Sequence, residues 1–386
     1  MHIMLWHRGF WFLAIANFLI AMSVYCLVPV LPRWLMSNEG FTSEEAGIAM
    51  GAFGVGLFVF GGFCSYLIQT YRRNRVCMES ILVMAICTSL LYYLFRHEFG
   101  SVRHWWVIVQ RILFGAVYGL AEMVLSSTLI IDKSESFVRT EANHSAAWFS
   151  RFAVALGPLG GLLAFIHFGT LESVLLVSDI CALSAILLIR LVNFPFRTPG
   201  EDTHVFSLDR FFLPQGFPLF VNIFLIMMPI GMIFALPQTC EFYALMMGGF
   251  ALALLSQRFV FRNSEVKSEV VTGMLLIISG MQLLQMLHIS SAGQISPVMI
   301  GMGIGIIGAR FLLFFIKLSR HCQRGTSSST FFLGWESSIA IGIGVGYYGY
   351  YGQDKLLIIT AMSISAVAFV MYLMFTHRWY MLHKNR

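Results

Sequence analysis

Apolar stretches long enough to cross a bilayer recur from one end of this chain to the other, and few folds can absorb that pattern. Crossing about 30 Å of hydrocarbon takes about 20 mainly apolar residues. Between charged or Pro/Gly-rich breaks the sequence supplies runs near 10–32, 44–69, 76–95, 104–131, 144–167 and 171–192. After a polar connector come runs near 214–237, 241–261, 270–288, 296–318, 325–349 and 355–376. Hydrocarbon offers backbone groups no water to bond, so such runs must be helices whose hydrogen bonds are internal. The expectation is an all-α polytopic membrane protein of twelve transmembrane helices, arranged as two six-helix bundles. Composition excludes the soluble alternative: 58% of residues are hydrophobic and 11% charged, against about 25% charged in soluble domains.

The first run, Phe10 to Leu31, is too long for a signal-peptide core and has no small-residue cleavage site after it, so it reads as a retained span. Of the 25 Lys and Arg residues, 18 fall in the segments on one side, counting the N-terminal tail, and four in the loops on the other. Arg111, Arg151 and Arg310 lie inside or at the edge of helices. The positive-inside rule then puts both termini in the cytoplasm, and it accounts for the net charge of +6 without nucleic acid as a partner. The connector carries Arg197, Glu201, Asp202, Asp209 and Arg210 with Pro195 and Pro199, which makes it the hinge between residues 1–196 and 214–386. The seven cysteines are scattered singly with no C-x-x-C spacing, so neither a disulfide framework nor a metal site is expected. Small residues four apart (Gly47/Gly51, Gly115/Gly119, Gly157/Gly161, Gly301/Gly305, Ser338/Gly342/Gly346) let helix backbones approach closely in lipid. Bundle packing and sliding surfaces would look alike in such a pattern.

Four stretches have the form of known signatures. Arg111-Ile112-Leu113-Phe114-Gly115-Ala116-Val117-Tyr118-Gly119, just inside the fourth span, resembles R-x-x-x-G-x-x-x-G. Gly157-Pro158-Leu159-Gly160-Gly161 in the fifth resembles the G-P-x-G-G stretch of proton-exchanging exporters. The loop after span two is a degraded match to G-x-x-x-D-R-x-G-R-R: Gln69 stands at the Asp position and Arg72 at the second Gly, while Arg73 and Arg75 keep the basic character. The acid of that inner-gate charge network is therefore missing from the loop. Arg324-Gly325-Thr326-Ser327-Ser328-Ser329-Thr330-Phe331-Phe332, followed by Trp335-Glu336, looks like R-G-T-x-x-S-T-F-F…W-D, with Glu336 at the Asp position. Together these stretches resemble the major facilitator superfamily, its bacterial sugar-efflux and drug-efflux members in particular, and Asn17, Pro29 and Pro32 in the first span are also placed as in those relatives.

A charge at the centre of a membrane helix costs about 2.5–3.5 kcal/mol on insertion scales, so each is a candidate for function. Glu336 lies eleven residues past Gly325 and twelve before Tyr348, near the midplane. It reads as a proton carrier, a structural acid, or a direct substrate contact. Arg111 and Glu122, eleven apart, share a helix face with Gly115 and Tyr118. Glu122 is then a second proton or substrate site, and Arg111 an anion partner or a tie between helices. Asp179 sits nearer the outer edge of span six. Arg310, about two turns inside span ten, has a stem long enough to snorkel to the interface, and Arg151 is placed at the inner start of span five. Trp6, Trp11, Trp34, Trp105, Trp106, Trp379 and Tyr380 cluster at span ends as interfacial anchors. Trp335, mid-span, lines a cavity or packs.

The resemblance implies a secondary active transporter, working as a proton-coupled exporter of a small organic solute by alternating access. The expected site has Glu336 and Glu122 for protons and Asn17, Tyr25, Arg111, Tyr118 and Trp335 for substrate. Importer, facilitator, and receptor or scaffold on the same fold remain as alternatives. No G-x-S-x-G, phosphate-binding glycine loop or His/Asp cluster suggests an enzyme. Expected partners are the solute, protons and the lipid bilayer of a bacterial inner membrane; no cofactor or metal is implied, and the chain is expected to act as a monomer.

Overall fold

The computed structural model describes residues 5–97, 102–135, 138–194, 204–261, 264–286 and 290–384. Twelve long helices run through them: α1 (Arg8–Tyr25), α2 (Ser43–Thr70), α3 (Arg73–Arg96), α4 (His104–Asp132), α5 (Arg139–Phe168), α6 (Leu171–Arg190), α7 (Pro214–Ala235), α8 (Cys240–Phe259), α9 (Val266–Gln285), α10 (Ala292–Leu318), α11 (Arg324–Tyr350) and α12 (Asp354–His383). Eleven are long and apolar enough to span a membrane. α11 carries Ser and Thr hydroxyls, Glu336 and several glycines among its apolar residues. Those hydroxyls bond back to their own turn, Ser327 Oγ to Arg324 O and Thr330 Oγ1 to Thr326 O at 2.8 Å each, so polar side chains cost the helix little.

The first span differs from its expected extent of 10–32. α1 stops at Tyr25, the chain turns through residues 26–30, and a short helix, Leu31–Asn38, follows with Pro32 in its first turn. Proline has no N–H to give, which is harmless only there.

The packing repeats with an offset of six helices. α1 packs on α5 and α6, α2 on α4, and α3 on α4 and α6; likewise α7 packs on α11 and α12, α8 on α10, and α9 on α10 and α12. The halves of the chain meet where α2 packs on α11 and α5 on α8. The α2–α11 contact is backbone to backbone, since a Cβ on Gly47 would lie 2.6 Å from the Gly344 carbonyl oxygen.

Arg310 does not snorkel. Its guanidinium forks onto both carboxylate oxygens of Glu269, tying α10 to α9, and Ser264 Oγ donates to the same carboxylate at 2.7 Å. Glu269 is fully buried, and a charge at that depth needs such a partner. Of the expected anchors, Trp6, Trp11, Trp105 and Trp106 are exposed, whereas Tyr380 is buried against Phe314.

Candidate functional site

Between the two halves of the chain a vestibule of about 600 Å³ opens at the end that carries Arg73, Lys133, Arg139, Arg210 and Arg324. Its one acid, Asp132, is held by Arg73 at 2.6 Å. Asn143 forms the floor, and its Nδ2 donates across the halves to Ser328 Oγ at 3.2 Å.

Beyond Asn143 lies a deeper pocket of about 50 Å³, lined among others by Asn17, Glu122, Ser126, Arg151, Trp335 and Glu336. That volume admits a few waters, so this is a contracted state. Asn17 Nδ2 donates to Ala146 O at 3.2 Å, fixing α1 on α5, and leaves Oδ1 free for the pocket. Glu122 precedes a π-helical turn, Leu125–Leu129, in α4. The extra residue in that turn re-aims the hydroxyls after Glu122, and such bulges recur at functional sites. Ser126 Oγ donates to Glu122 O at 2.8 Å, while Glu122 Oε2 has no partner among the described residues.

Glu336 occupies the junction between this pocket and a smaller one, lined by Tyr25, Phe53, Arg111 and Ile343 on the far side. Tyr25 Oη donates to Glu336 Oε2 at 2.9 Å, joining α1 to α11 across the halves. Tyr25 is positioned by the exporter-type stretch of α5. A Cβ on Gly157 would come within 2.5 Å of Tyr25 Cβ, and one on Gly161 within 2.0 Å of Cys26 O. Pro158 lies inside the same helix.

Of the residues expected at the site, Asn17, Glu122, Trp335 and Glu336 meet in the deeper pocket. Arg111 and Tyr25 meet Glu336 from its other side. The Arg111 guanidinium lies over the Phe53 and Phe114 rings at 5.0 and 5.4 Å. Tyr118 is fully buried between Phe53 and Phe332, with centroids 5.7 and 5.6 Å away, and its hydroxyl has no partner among the described residues. Arg151, Asn143, Ser126 and Ser328 are additions. Arg151 lies more than three turns inside α5, which begins at Arg139 and not at the first apolar residue.

At the degraded loop, Arg73 pairs with Asp132 and Arg75 with Glu79 at 2.7 Å; Arg72 precedes α3. Gln69 Nε2 donates to Ser65 Oγ at 3.3 Å. The connector brings an acid of its own beside this loop. Asp209 accepts from Thr326 Oγ1 at 3.0 Å, in the first turn of α11, and from Ser65 Oγ at 3.5 Å. The residues 204–213 of the expected hinge are packed: Ser207 N donates to Gly62 O, Arg210 N to Thr326 Oγ1 and Leu213 N to Thr330 Oγ1, at 2.8–2.9 Å. Arg197, Glu201, Asp202, Pro195 and Pro199 lie outside the described residues. Burial, with Arg73 nearby, lowers the pKa of Arg210, and Asp209 offsets part of that.

At the opposite end the halves are closed. Gly47 and Gly51 pack on Gly344, and Arg33 Nη2 donates to Leu236 O at 2.8 Å. Asp179 lies in an outer groove between α3 and α6, accepting from Ser89 Oγ at 3.5 Å, apart from the central pocket.

The sequence profile of the Major Facilitator Superfamily matches residues 13–343. No curated protein sequence matches the chain. Among solved structures, a bacterial homologue of the iron transporter ferroportin in its outward-facing state aligns over 97% of this chain and 99% of its own, with TM-score 0.69 and 15% identity. The E. coli fucose:proton symporter FucP aligns over 98% of both chains, with TM-score 0.65 and 14% identity. The human organic anion transporter MFSD10 aligns over 94% of this chain and 98% of its own, with TM-score 0.63 and 14% identity. At such identities the likeness is one of fold.

Proposed function

Because this chain belongs to the Major Facilitator Superfamily, we propose that it is a proton-coupled exporter of a small organic solute, in which residues 1–196 rock against residues 214–386. Residues 197–213 connect the two parts. It sits in a bacterial inner membrane as a monomer, with both termini and the vestibule facing the cytoplasm. The excess of basic residues at the vestibule end supports that orientation.

The observation that carries the reading is Glu336. It is the one acid that faces both pockets, and its hydrogen bond to Tyr25 joins the two moving parts. Coupling works by competition between states: protonated Glu336 favours one state, and bound solute or ionised Glu336 the other, so that solute leaves to the opposite side in exchange for a proton. Glu122, in the same pocket, is the second proton site. A membrane potential of 100 mV supplies about 2.3 kcal/mol per charge moved, enough to concentrate a solute some tens-fold. The placement of Gly157 and Gly161 against Tyr25 and Cys26 supports export, since it ties the exporter-type stretch to the residue that holds the carboxyl.

A counterflow screen in proteoliposomes, with and without an imposed pH gradient, identifies a substrate and its coupling. With that substrate, Glu336→Gln abolishes proton-driven uptake into inverted vesicles and retains exchange, because the remaining pocket contacts persist. Wild-type pH-driven uptake by this variant would remove Glu336 as carrier and transfer the role to Glu122.

A further inference from the structure

Among the described residues two guanidinium groups are buried in the helical core, and their surroundings differ. Arg111 lies between aromatic rings on the closed side of Glu336. Arg151 lines the deeper pocket on the vestibule side and is 3% exposed. Its Nη2 donates to the Gly308 carbonyl of α10 at 2.9 Å, and its Cζ lies over the Trp148 ring, 4.9 Å from the ring centre. Nε and Nη1 donate to nothing among the described residues, and no ion pair among them engages the group.

An ionised guanidinium this deep calls for a counter-charge, and its direct contacts are a carbonyl from the other half of the chain and the Trp148 ring, while Glu122 and Glu336 line the same pocket without an ion pair to it. When the halves part to widen the pocket, that carbonyl moves away with α10. We propose that Arg151 is the anchor for an anionic group on the transported solute, a carboxylate or phosphate ester, which replaces the Gly308 carbonyl as the pocket opens. The inference rests on the transporter reading above and specifies its substrate class.

The body of the solute follows from the same corner of the pocket. A Cβ on Gly308 would lie 2.8 Å from Arg151 Nε and 2.8 Å from the Trp335 ring, so the missing side chain lets guanidinium and indole converge on one spot. An anion held by Arg151 has its remainder against Trp335 and Phe331, which favours an apolar or aromatic body. Arg presents a rigid planar fork that matches carboxylate and phosphate oxygens, whereas an ammonium does not. The basic vestibule steers anions toward this point. Basic loops are common to the cytoplasmic side of membrane proteins, so the assignment stands on Arg151 and not on the vestibule.

The test is anion-dependent thermal stabilisation of the purified protein in nanodiscs at fixed ionic strength. The probes are benzoate and phenyl phosphate, compared with the neutral benzamide and the cationic benzylamine. At least one anion is expected to raise the unfolding midpoint while benzamide and benzylamine do not. Arg151→Gln weakens that apparent affinity at least tenfold. If the Gln variant does not fold, Arg151→Lys decides, since it keeps the charge and loses the fork: a clear weakening of anion affinity supports the anchor. No anion-specific stabilisation, or wild-type anion affinity in the Gln or Lys variant, overturns the proposal. Glu336→Gln should still bind the anions. Intact pH-driven transport together with failed anion binding would therefore sink the Arg151 assignment alone, and retained anion binding with wild-type coupling in Glu336→Gln would sink the proton reading alone.

Discussion

Gly157, Gly160 and Gly161 stand side by side in the sequence and face different amounts of space. Cβ atoms at the first and third would strike the end of α1 and the turn after it, at 2.5 Å from Tyr25 Cβ and 2.0 Å from Cys26 O, whereas one on Gly160 would meet only Met22 Cε at 3.7 Å. Gly157→Ala and Gly161→Ala should each destabilise the protein by about 1–3 kcal/mol, the usual cost of overpacking, and weaken transport because Tyr25 is pushed off Glu336. Gly160→Ala should leave both near wild type. Thermal midpoints in nanodiscs check this, and an equal loss at all three positions would contradict the packing described. Single residues were legible where their type alone made them costly: Glu336, Glu122 and Arg111 are charges inside apolar runs. Partners were less so: Tyr25 was expected at the site for substrate and not as the donor to Glu336, and Ser328 reads as an ordinary hydroxyl until the fold sets it opposite the Asn143 amide. Glu269 escaped notice for a related reason, standing just outside the apolar run of its span while the fold buries it under Arg310.

The helices themselves were the most legible elements, since a bilayer demands about 20 apolar residues for each. α11 shows the limit of that rule: it is the least apolar, yet α2, α7 and α10 shield it, so its serines and threonines meet protein rather than lipid. The connector was read as a hinge from its prolines and charges, but its second part is a strap. Arg210 takes a positive φ of 58°, a conformation that costs a non-glycine residue about 1–2 kcal/mol. The bonds from Arg210 N and Leu213 N to the hydroxyls of α11, and from Thr326 to Asp209, hold it there. Hydrogen bonds to a charged group contribute about 1.5–3 kcal/mol, so Asp209→Asn should move the gate equilibrium roughly tenfold or more. Spin labels on Asn74→Cys and the native Cys322, which line opposite sides of the vestibule, should report a larger population of long distances. An unchanged distribution would mean the strap does not restrain the gate.

At the scale of the whole molecule, the six-helix repeat in packing leaves the contacts between the halves, of which α2 on α11 and α5 on α8 are the most extensive among the described residues, as the surfaces that rearrange when access alternates. The pairs of small residues marked such surfaces without telling them apart: Gly115 and Gly119 pack on Phe53 and Leu57 within one half of the chain, while Gly47 packs on Gly344 across the two. The difference lies in topology, which periodicity along one helix does not carry. It yields a test of both the rocking motion and the orientation. Gly47→Leu places a side chain where the Gly344 carbonyl now sits 2.6 Å from an ideal Cβ, and a backbone atom cannot yield as a flexible side chain can. The end opposite the vestibule should then fail to close. A reporter cysteine, Ile343→Cys, lines the small pocket on that side and is buried in the closed arrangement. It should react slowly with an impermeant maleimide added to intact cells in the Gly47 background, where that end opens for only part of the cycle, and faster in the Gly47→Leu background. Net transport should fall because the cycle cannot pass through the state seen here. Asn74→Cys, at the vestibule, should stay silent from outside in both backgrounds. Labelling of Asn74→Cys from outside would reverse the orientation, and an Ile343→Cys that reacts no faster in the Gly47→Leu variant would show that α2 and α11 do not form the gate.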